Sequence, residues 1–126
     1  MFSARVLLVA LGASAALATG TASAAGGERL LNTTDCEEYL CINVVHNDRF
    51  VNKVEVYQNG DGPNWYGHVG FTSNTLPHQV GQDGNPVPWV IVEPLQTVRE
   101  GTDLCGEAWE RHGAGYRDVG HVCVRL

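Results

Sequence analysis

Short runs of alternating apolar and polar residues, separated by turn-forming residues, dominate the chain after residue 38. The alternating runs lie at residues 39–46, 50–58, 65–72, 104–109 and 119–126, and a shorter, wholly apolar run lies at residues 89–92. Because successive side chains of a strand point to opposite faces, this alternation predicts half-buried antiparallel strands. No window repeats apolar residues at helical spacing. The pattern therefore predicts an all-β fold of six or seven short strands, arranged as a small antiparallel β-sandwich or barrel.

More detailed predictions are possible for the second run, residues 50–58, and for the segment at residues 73–88. In the second run, the alternation assigns Phe50, Val54 and Val56 to one face and Val51 to the other. Residues 73–88 are polar and rich in proline and glycine. Such composition is typical of a surface loop, so an extended loop is predicted there.

The two C-terminal runs each contain one cysteine and are joined by a polar, glycine-rich link at residues 111–117. They predict a β-hairpin closed by the disulfide Cys105–Cys123, since cystines join strands whose Cβ atoms approach to about 3.8 Å. Four cysteines in a short exported chain are typical of two disulfides, and the remaining local pairing is Cys36–Cys41. The two pairings that would cross between the ends of the chain stay open.

The disulfide between the C-terminal runs also fixes a register for their pairing. In that register Trp109 lies opposite Val119, and Glu107 lies opposite His121 as a cross-strand charge pair. These residues share the face of the disulfide. The other face is small and apolar, as a core-facing surface should be. It consists of Leu104, Gly106, Ala108, Gly120, Val122, Val124 and Leu126.

The start of the chain has the pattern of a secretory signal peptide. Arg5 supplies a positive charge, an apolar run continues to Ala18, and Ala22-Ser23-Ala24 is a small-residue cleavage site. The run is shorter than the ~20 apolar residues that a membrane span needs. We therefore predict a signal peptide at residues 1–24, a flexible N-terminal arm at residues 25–35 and a single β domain at residues 36–126. The processed protein is expected to be secreted, with no membrane attachment.

Charge and motifs restrict the chemistry further. The formal net charge of −6 argues against nucleic acid and anionic membranes as partners. The one serine beyond the predicted signal peptide, Ser73, is not in a G-x-S-x-G elbow. The five histidines are scattered, and the cysteines lack the spacing of a zinc site. The sequence accordingly predicts no catalytic set, no metal site and no cofactor.

The candidate binding residues lie around the long polar loop. Trp65, Tyr66 and Trp89 flank it, and exposed aromatic rings on a β scaffold form platforms for sugars or anchors for protein interfaces. His68 and His121 complete the candidate set. The alternative interpretation, that Trp65, Trp89 and Trp109 simply belong to the core, stays open.

Three C-terminal segments and one upstream element carry a resemblance to known proteins. They are residues 101–109, 113–116 and 122–124, together with Tyr66-Gly67-His68. In these segments the chain resembles a group of small exported actinomycete proteins of uncharacterised function. The resemblance implies a secreted β fold of bacterial origin, and it transfers no activity.

Small size, disulfides and the absence of an assembled catalytic set favour one functional class. We expect a non-catalytic extracellular binding or interaction module, either a protease inhibitor or a binder of glycans or other ligands. One alternative is a small secreted hydrolase that uses His68 or His121 with a nearby carboxylate. The other alternative is a structural component of the cell envelope.

Overall fold

The computed structural model describes residues 29–126, which form nine β-strands and no helix. The strands are β1 (Leu31–Cys36), β2 (Leu40–Asn47), β3 (Phe50–Gln58), β4 (Gly67–Ser73), β5 (Gln79–Val80), β6 (Val90–Val92), β7 (Gln96–Thr97), β8 (Asp103–His112) and β9 (Gly115–Arg125). Within this range, no helix has the length and apolarity needed to cross a membrane. The predicted signal peptide and residues 25–28 of the predicted arm lie outside the described residues.

The strands form two antiparallel sheets, which confirms the predicted all-β fold. The first sheet has the order β1-β2-β3-β6, and β7 pairs with the start of β3. The second sheet has the order β9-β8-β4-β5. The chain crosses to the second sheet after β3, returns to the first sheet at β6 and crosses again before β8. Nine strands are present instead of six or seven because the short β5 and β7 and the polar β1 have no clear alternation.

The apolar faces of the two sheets meet in one hydrophobic core. Its fully buried side chains come from both sheets: Leu40, Ile42, Val44, Val51, Val54 and Val56 from the first, and Val69, Phe71, Leu104 and Ala108 from the second. Gly106 lies on the core face of β8, where an added Cβ would be 2.8 Å from Val56 Cγ1. Glycine at this position therefore allows the two sheets to approach closely.

Both predicted disulfides, Cys36–Cys41 and Cys105–Cys123, are present. Two disulfides are consistent with an oxidising, extracellular location. Each joins directly opposed residues of an antiparallel strand pair. The predicted hairpin register is confirmed from Leu104 to Ala108.

The hairpin register is wrong at Trp109, which lies opposite Asp118 instead of Val119. A β-bulge between Asp118 and Gly120 inserts Val119 as an extra residue in β9. Val119 packs against the hydrophobic core, and the backbone N–H of Gly120 donates to Asp118 Oδ1 over 3.2 Å. The local turn at the bulge shifts the remaining pairs by one residue.

The predicted flexible arm is corrected at residues 31–35, which belong to strand β1. Every residue of β1 is exposed, so the strand has no apolar face that sequence alternation could reveal. It is held by its ladder to β2 and by the Cys36–Cys41 disulfide at its end. Thr34 Oγ1 donates a hydrogen bond to Asn43 Oδ1 over 2.7 Å, and Asn43 Nδ2 donates to Asn32 Oδ1 over 3.2 Å, which adds to this pairing.

The face assignment in β3 is wrong at its first two residues. Val51 is fully buried and Phe50 is 38% exposed, because a bulge at Asn52 shifts the pairing with β2. The segment at residues 73–88 is also more ordered than an extended loop. It contains β5, which pairs with β4.

Candidate functional site

The outer face of the second sheet, which points away from the core, carries an open cavity of about 240 Å³. The cavity lies over β4, between β8 on one side and β5 on the other. Its lining includes residues of both flanking strands and of β4, namely His68, Gly70, Thr72, Val80, Glu107 and Trp109, together with His78 and Gln79. We call this feature the sheet cavity.

Gly70 forms the floor of the sheet cavity. The register places it between Glu107 of β8 and Val80 of β5. Because glycine has no side chain, the space between these two neighbours stays open. An added Cβ would lie 3.3 Å from the carbonyl oxygen of Gln79 and would occupy part of that space.

Trp109 forms one wall of the sheet cavity, and a carboxylate fixes its ring. Trp109 Nε1 donates a hydrogen bond to Glu107 Oε1 over 3.0 Å. The two residues are two positions apart on β8, so both side chains lie on the outer face. An indole held in this way offers a flat apolar surface that loses little conformational entropy when a ligand binds.

His68 is the direct cross-strand neighbour of Trp109 and is held by a second carboxylate. Its Nδ1 lies 3.0 Å from Asp83 Oδ1, and the hydroxyl of Tyr116 donates to Asp83 Oδ2 over 2.8 Å. The hydrogen bonds from His68 and Tyr116 lower the pKa of Asp83 below its ordinary 3.8. Because an ionised carboxylate only accepts hydrogen bonds, His68 carries a proton on Nδ1, which leaves Nε2 free of this interaction.

Asp83 reaches His68 because the segment that follows β5 is tied to β4. Gly84 and Gly67 exchange two backbone hydrogen bonds, of 2.9 and 3.3 Å. The N–H of Gly81 also donates to the carbonyl of Val69 over 2.9 Å. These contacts hold Asp83 beside His68, which lines the sheet cavity.

The five predicted binding residues do not share one concave surface. Trp65 is 3% exposed and lies in the core, with its Nε1 donating to the carbonyl of Tyr39 over 3.3 Å. Trp89 is 54% exposed and stacks on Tyr57 of the first sheet, with ring centroids 4.3 Å apart. Tyr66 is exposed and immediately precedes β4. The core interpretation of the tryptophans thus describes Trp65 and neither Trp89 nor Trp109.

His68 and His121, in contrast, lie on the same outer face with β8 between them. His121 is opposite Glu107, and its Nε2 is 3.9 Å from Cys123 Sγ. The expected charge pair between Glu107 and His121 is not among the ion pairs of residues 29–126. The Glu107 carboxylate accepts from Trp109 instead.

Four side chains that form or orient this site were not among the five predicted binding residues: Glu107, Trp109, Asp83 and Tyr116. Glu107 and Trp109 could have been found, because the predicted hairpin register already placed both on the face away from the core. Asp83 and Tyr116 had no such signal. Asp83 lies in a segment whose position depends on long-range contacts with β4, whereas Tyr116 lies at the start of β9, within the residues predicted as the hairpin link.

Comparisons with known proteins do not assign this site. No family model matches the chain, and searches of curated proteins and of solved structures found no match. The resemblance to small exported actinomycete proteins stays a prediction.

Replacing Asp83 with asparagine is expected to remove a pH-dependent part of the stability. Because the folded-state pKa of Asp83 is lowered, its contribution is fully present above its unfolded pKa of 3.8. The contribution is lost as the pH falls through the lowered value. Urea unfolding at a series of pH values should therefore show the largest difference between wild type and Asp83→Asn at neutral pH.

Tyr116→Phe provides a graded control for this measurement, since it removes one of the two hydrogen bonds that lower the Asp83 pKa. The difference in unfolding free energy between wild type and Tyr116→Phe should have the same pH dependence as that of Asp83→Asn and should be smaller. A difference between wild type and Asp83→Asn that is constant from neutral to acidic pH would contradict the assignment.

Proposed function

We propose that this protein is a non-catalytic extracellular binding module whose ligand is a carbohydrate bound in the sheet cavity. One observation carries the proposal: the cavity lies beside Trp109 and His68, and each of these side chains is held by a carboxylate. Side chains that are already fixed lose little entropy on binding. The two disulfides support a place of action outside the cytoplasm.

The size of the sheet cavity supports a small ligand. Its volume of about 240 Å³ is below the roughly 300–1,000 Å³ of pockets that enclose drug-sized ligands. A single sugar ring matches this space better than a peptide side-chain cluster or a nucleotide. Because the cavity is open, neighbouring units of an oligosaccharide could extend along the outer face of the sheet.

The chemistry of the walls also supports a sugar. A pyranose ring has apolar C–H faces and polar hydroxyl edges. Trp109 offers a flat apolar surface, whereas Glu107, His68 and Thr72 offer hydrogen-bonding groups around it. The net charge of −6 favours a neutral ligand over an anionic one.

The same structure makes a protease inhibitor the weaker binder hypothesis. An inhibitor presents a protruding loop to the protease, and residues 73–88 were the candidate loop. The hydrogen bonds of Gly84, Gly81 and Asp83 tie much of this segment to β4. The ordered cavity beside it is the better-supported binding surface.

Titration with neutral oligosaccharides, such as oligomers of N-acetylglucosamine and of glucose, tests the proposal by isothermal calorimetry. We expect binding of at least one of these probes, and Trp109→Ala should weaken it by at least about tenfold, the equivalent of ~1.4 kcal/mol. Trp89→Ala is the matched control, since Trp89 is also partly exposed but stacks on Tyr57 of the other sheet.

Three outcomes would contradict the carbohydrate proposal. They are the absence of binding to every glycan, equal losses in Trp109→Ala and Trp89→Ala, and tight inhibition of a secreted protease that is indifferent to Trp109→Ala. The last outcome would support the inhibitor hypothesis instead. Circular dichroism of each variant establishes that the fold is retained.

The hydrogen bond between His68 and Asp83 favours a second candidate, the small hydrolase. A carboxylate that holds Nδ1 orients an imidazole so that Nε2 can act as a general base on water or a hydroxyl. Turnover of a glycan or ester probe that is lost in His68→Ala and kept in His121→Ala would favour this function. Binding of the same probe without turnover favours the binding module.

A further inference from the structure

The Cys105–Cys123 disulfide lies next to a histidine that neither the fold nor the sheet cavity requires. Cys105, His121 and Cys123 each offer one potential ligand atom, and these atoms all lie within 4.8 Å of one another. His121 Nε2 is 3.9 Å from Cys123 Sγ. His121 is exposed and Cys123 is partly exposed, so the cluster opens to solvent.

Strand pairing sets this arrangement independently of the sulfur–sulfur bond. His121 and Cys123 are two residues apart on β9, which puts both side chains on the outer face. Cys105 lies directly opposite Cys123 in the β8–β9 ladder. Because β8 also pairs with β4 over seven residues, the position of Cys105 is fixed from both sides.

We propose that reduction of the Cys105–Cys123 disulfide converts this cluster into a binding site for a thiophilic divalent cation, with Zn²⁺ as the expected ion. A dithiol reductant supplies two electrons and two protons, which give two cysteine thiols, and the dithiol itself becomes a disulfide. Binding of Zn²⁺ then releases the two thiol protons, so that two thiolates and the neutral His121 ring hold the ion.

The distances fit tetrahedral zinc after a small adjustment. Zn–S bonds of about 2.3 Å and Zn–N bonds of about 2.0 Å at a tetrahedral angle separate the S and N atoms by about 3.5 Å. The 3.9 Å between His121 Nε2 and Cys123 Sγ is already close to this value. The two sulfurs must separate to about 3.8 Å, which requires side-chain rotation between facing strands. Three protein ligands leave the fourth position to water.

The other disulfide provides an internal comparison. Cys36 and Cys41 are also directly opposed on neighbouring strands, but in residues 29–126 no histidine or carboxylate forms a metal-binding group with them. Reduction should therefore create a three-ligand site at the second sheet and only a cysteine pair at the first. A zinc affinity that depends on His121 therefore distinguishes the three-ligand site from the cysteine pair.

The test uses the protein reduced with a water-soluble phosphine, because dithiols compete for metal, and titrates it with Zn²⁺ against a chromophoric chelator. The variant Cys36→Ala/Cys41→Ala should bind one Zn²⁺ per chain, and Cys105→Ala/Cys123→Ala should lose this site. His121→Ala should weaken binding at least about tenfold, since removal of a ligand costs no less than removal of an outer partner. His112→Ala, which changes an exposed histidine at the end of β8, should not.

Substitution with Co²⁺ gives a second readout, since cobalt–thiolate charge-transfer absorbance should appear in reduced protein and be absent from oxidised protein. Circular dichroism with and without zinc monitors the β fold. The proposal is overturned if reduced protein binds no zinc, if His121→Ala binds as tightly as His112→Ala, or if zinc binds only to a chain that has lost its β signal. This result is independent of the ligand of the sheet cavity.

Discussion

Replacing Phe71 with alanine is expected to lower the free energy of unfolding by about 3–5 kcal/mol. Phe71 is fully buried on the core face of β4, at the centre of the second sheet. Truncation removes most of a large apolar side chain and leaves a cavity that the two sheets can close only in part. Because domains of this size have total stabilities of about 5–15 kcal/mol, much of the stability would be lost.

Urea and thermal unfolding measure this effect, and a domain of roughly 100 residues should lose about 4–8 °C of Tm per kcal/mol. Phe50→Ala is the matched control, because the same atoms are removed from a residue that is 38% exposed at the start of β3. Its cost should stay below about 1 kcal/mol. Similar losses of unfolding free energy in Phe71→Ala and Phe50→Ala would contradict the burial of Phe71 in the core.

Strands β2 and β3 show where alternation predicts the fold and where it does not. The alternation placed Phe50 on the same face as Val54 and Val56, whereas the bulge at Asn52 puts Val51 and not Phe50 in the core with them. In β2, which has no bulge before His46, the alternating Leu40, Ile42 and Val44 are all buried as the pattern indicates. A two-residue period cannot reveal an inserted residue, because the insertion depends on pairing with the neighbouring strand.

Strand β1 shows a different limit of the sequence. Its six residues are exposed and mostly polar, so they carry no signal of burial. The strand exists because its backbone pairs with β2 and because Cys36 is bonded to Cys41. Hydrogen bonding of the backbone is available to any residue except proline, and composition therefore does not identify such an edge strand.

The candidate site also contains residues that the sequence predicts and residues that it does not. Glu107 and Trp109 follow from a hairpin register that a cysteine pairing alone predicts, with an error only beyond the bulge. Asp83 does not, since it lies in a segment between β5 and β6 whose sequence indicates only a loop. Its contact with His68 depends on the backbone bridge between Gly67 and Gly84. Local patterns predict which residues share a strand face, whereas contacts between distant segments require the folded chain.

Removal of the Cys105–Cys123 disulfide by Cys105→Ala/Cys123→Ala should lower the free energy of unfolding by about 3 kcal/mol. The two cysteines are 18 residues apart, and loop closure makes a longer loop more stabilising through the unfolded chain. The Cys36–Cys41 loop spans only 5 residues, so its removal should cost about 2 kcal/mol by the same relation. Urea unfolding of the two double variants under oxidising conditions measures both costs.

The two disulfides also differ in their positions in the sheets, which should further increase the difference between the two losses of unfolding free energy. Cys105 lies in β8, a central strand, whereas Cys36 ends the edge strand β1, whose side chains are all exposed. Without the Cys36–Cys41 bond, β1 should exchange its amide hydrogens faster while β8 and β9 stay protected, since an edge strand with little buried area opens locally. A larger global loss from Cys36→Ala/Cys41→Ala than from Cys105→Ala/Cys123→Ala would mean that β1 contributes to the stability of the whole sandwich. Such a result would contradict the inference that β1 is an edge strand held mainly by its backbone ladder to β2 and by the Cys36–Cys41 disulfide.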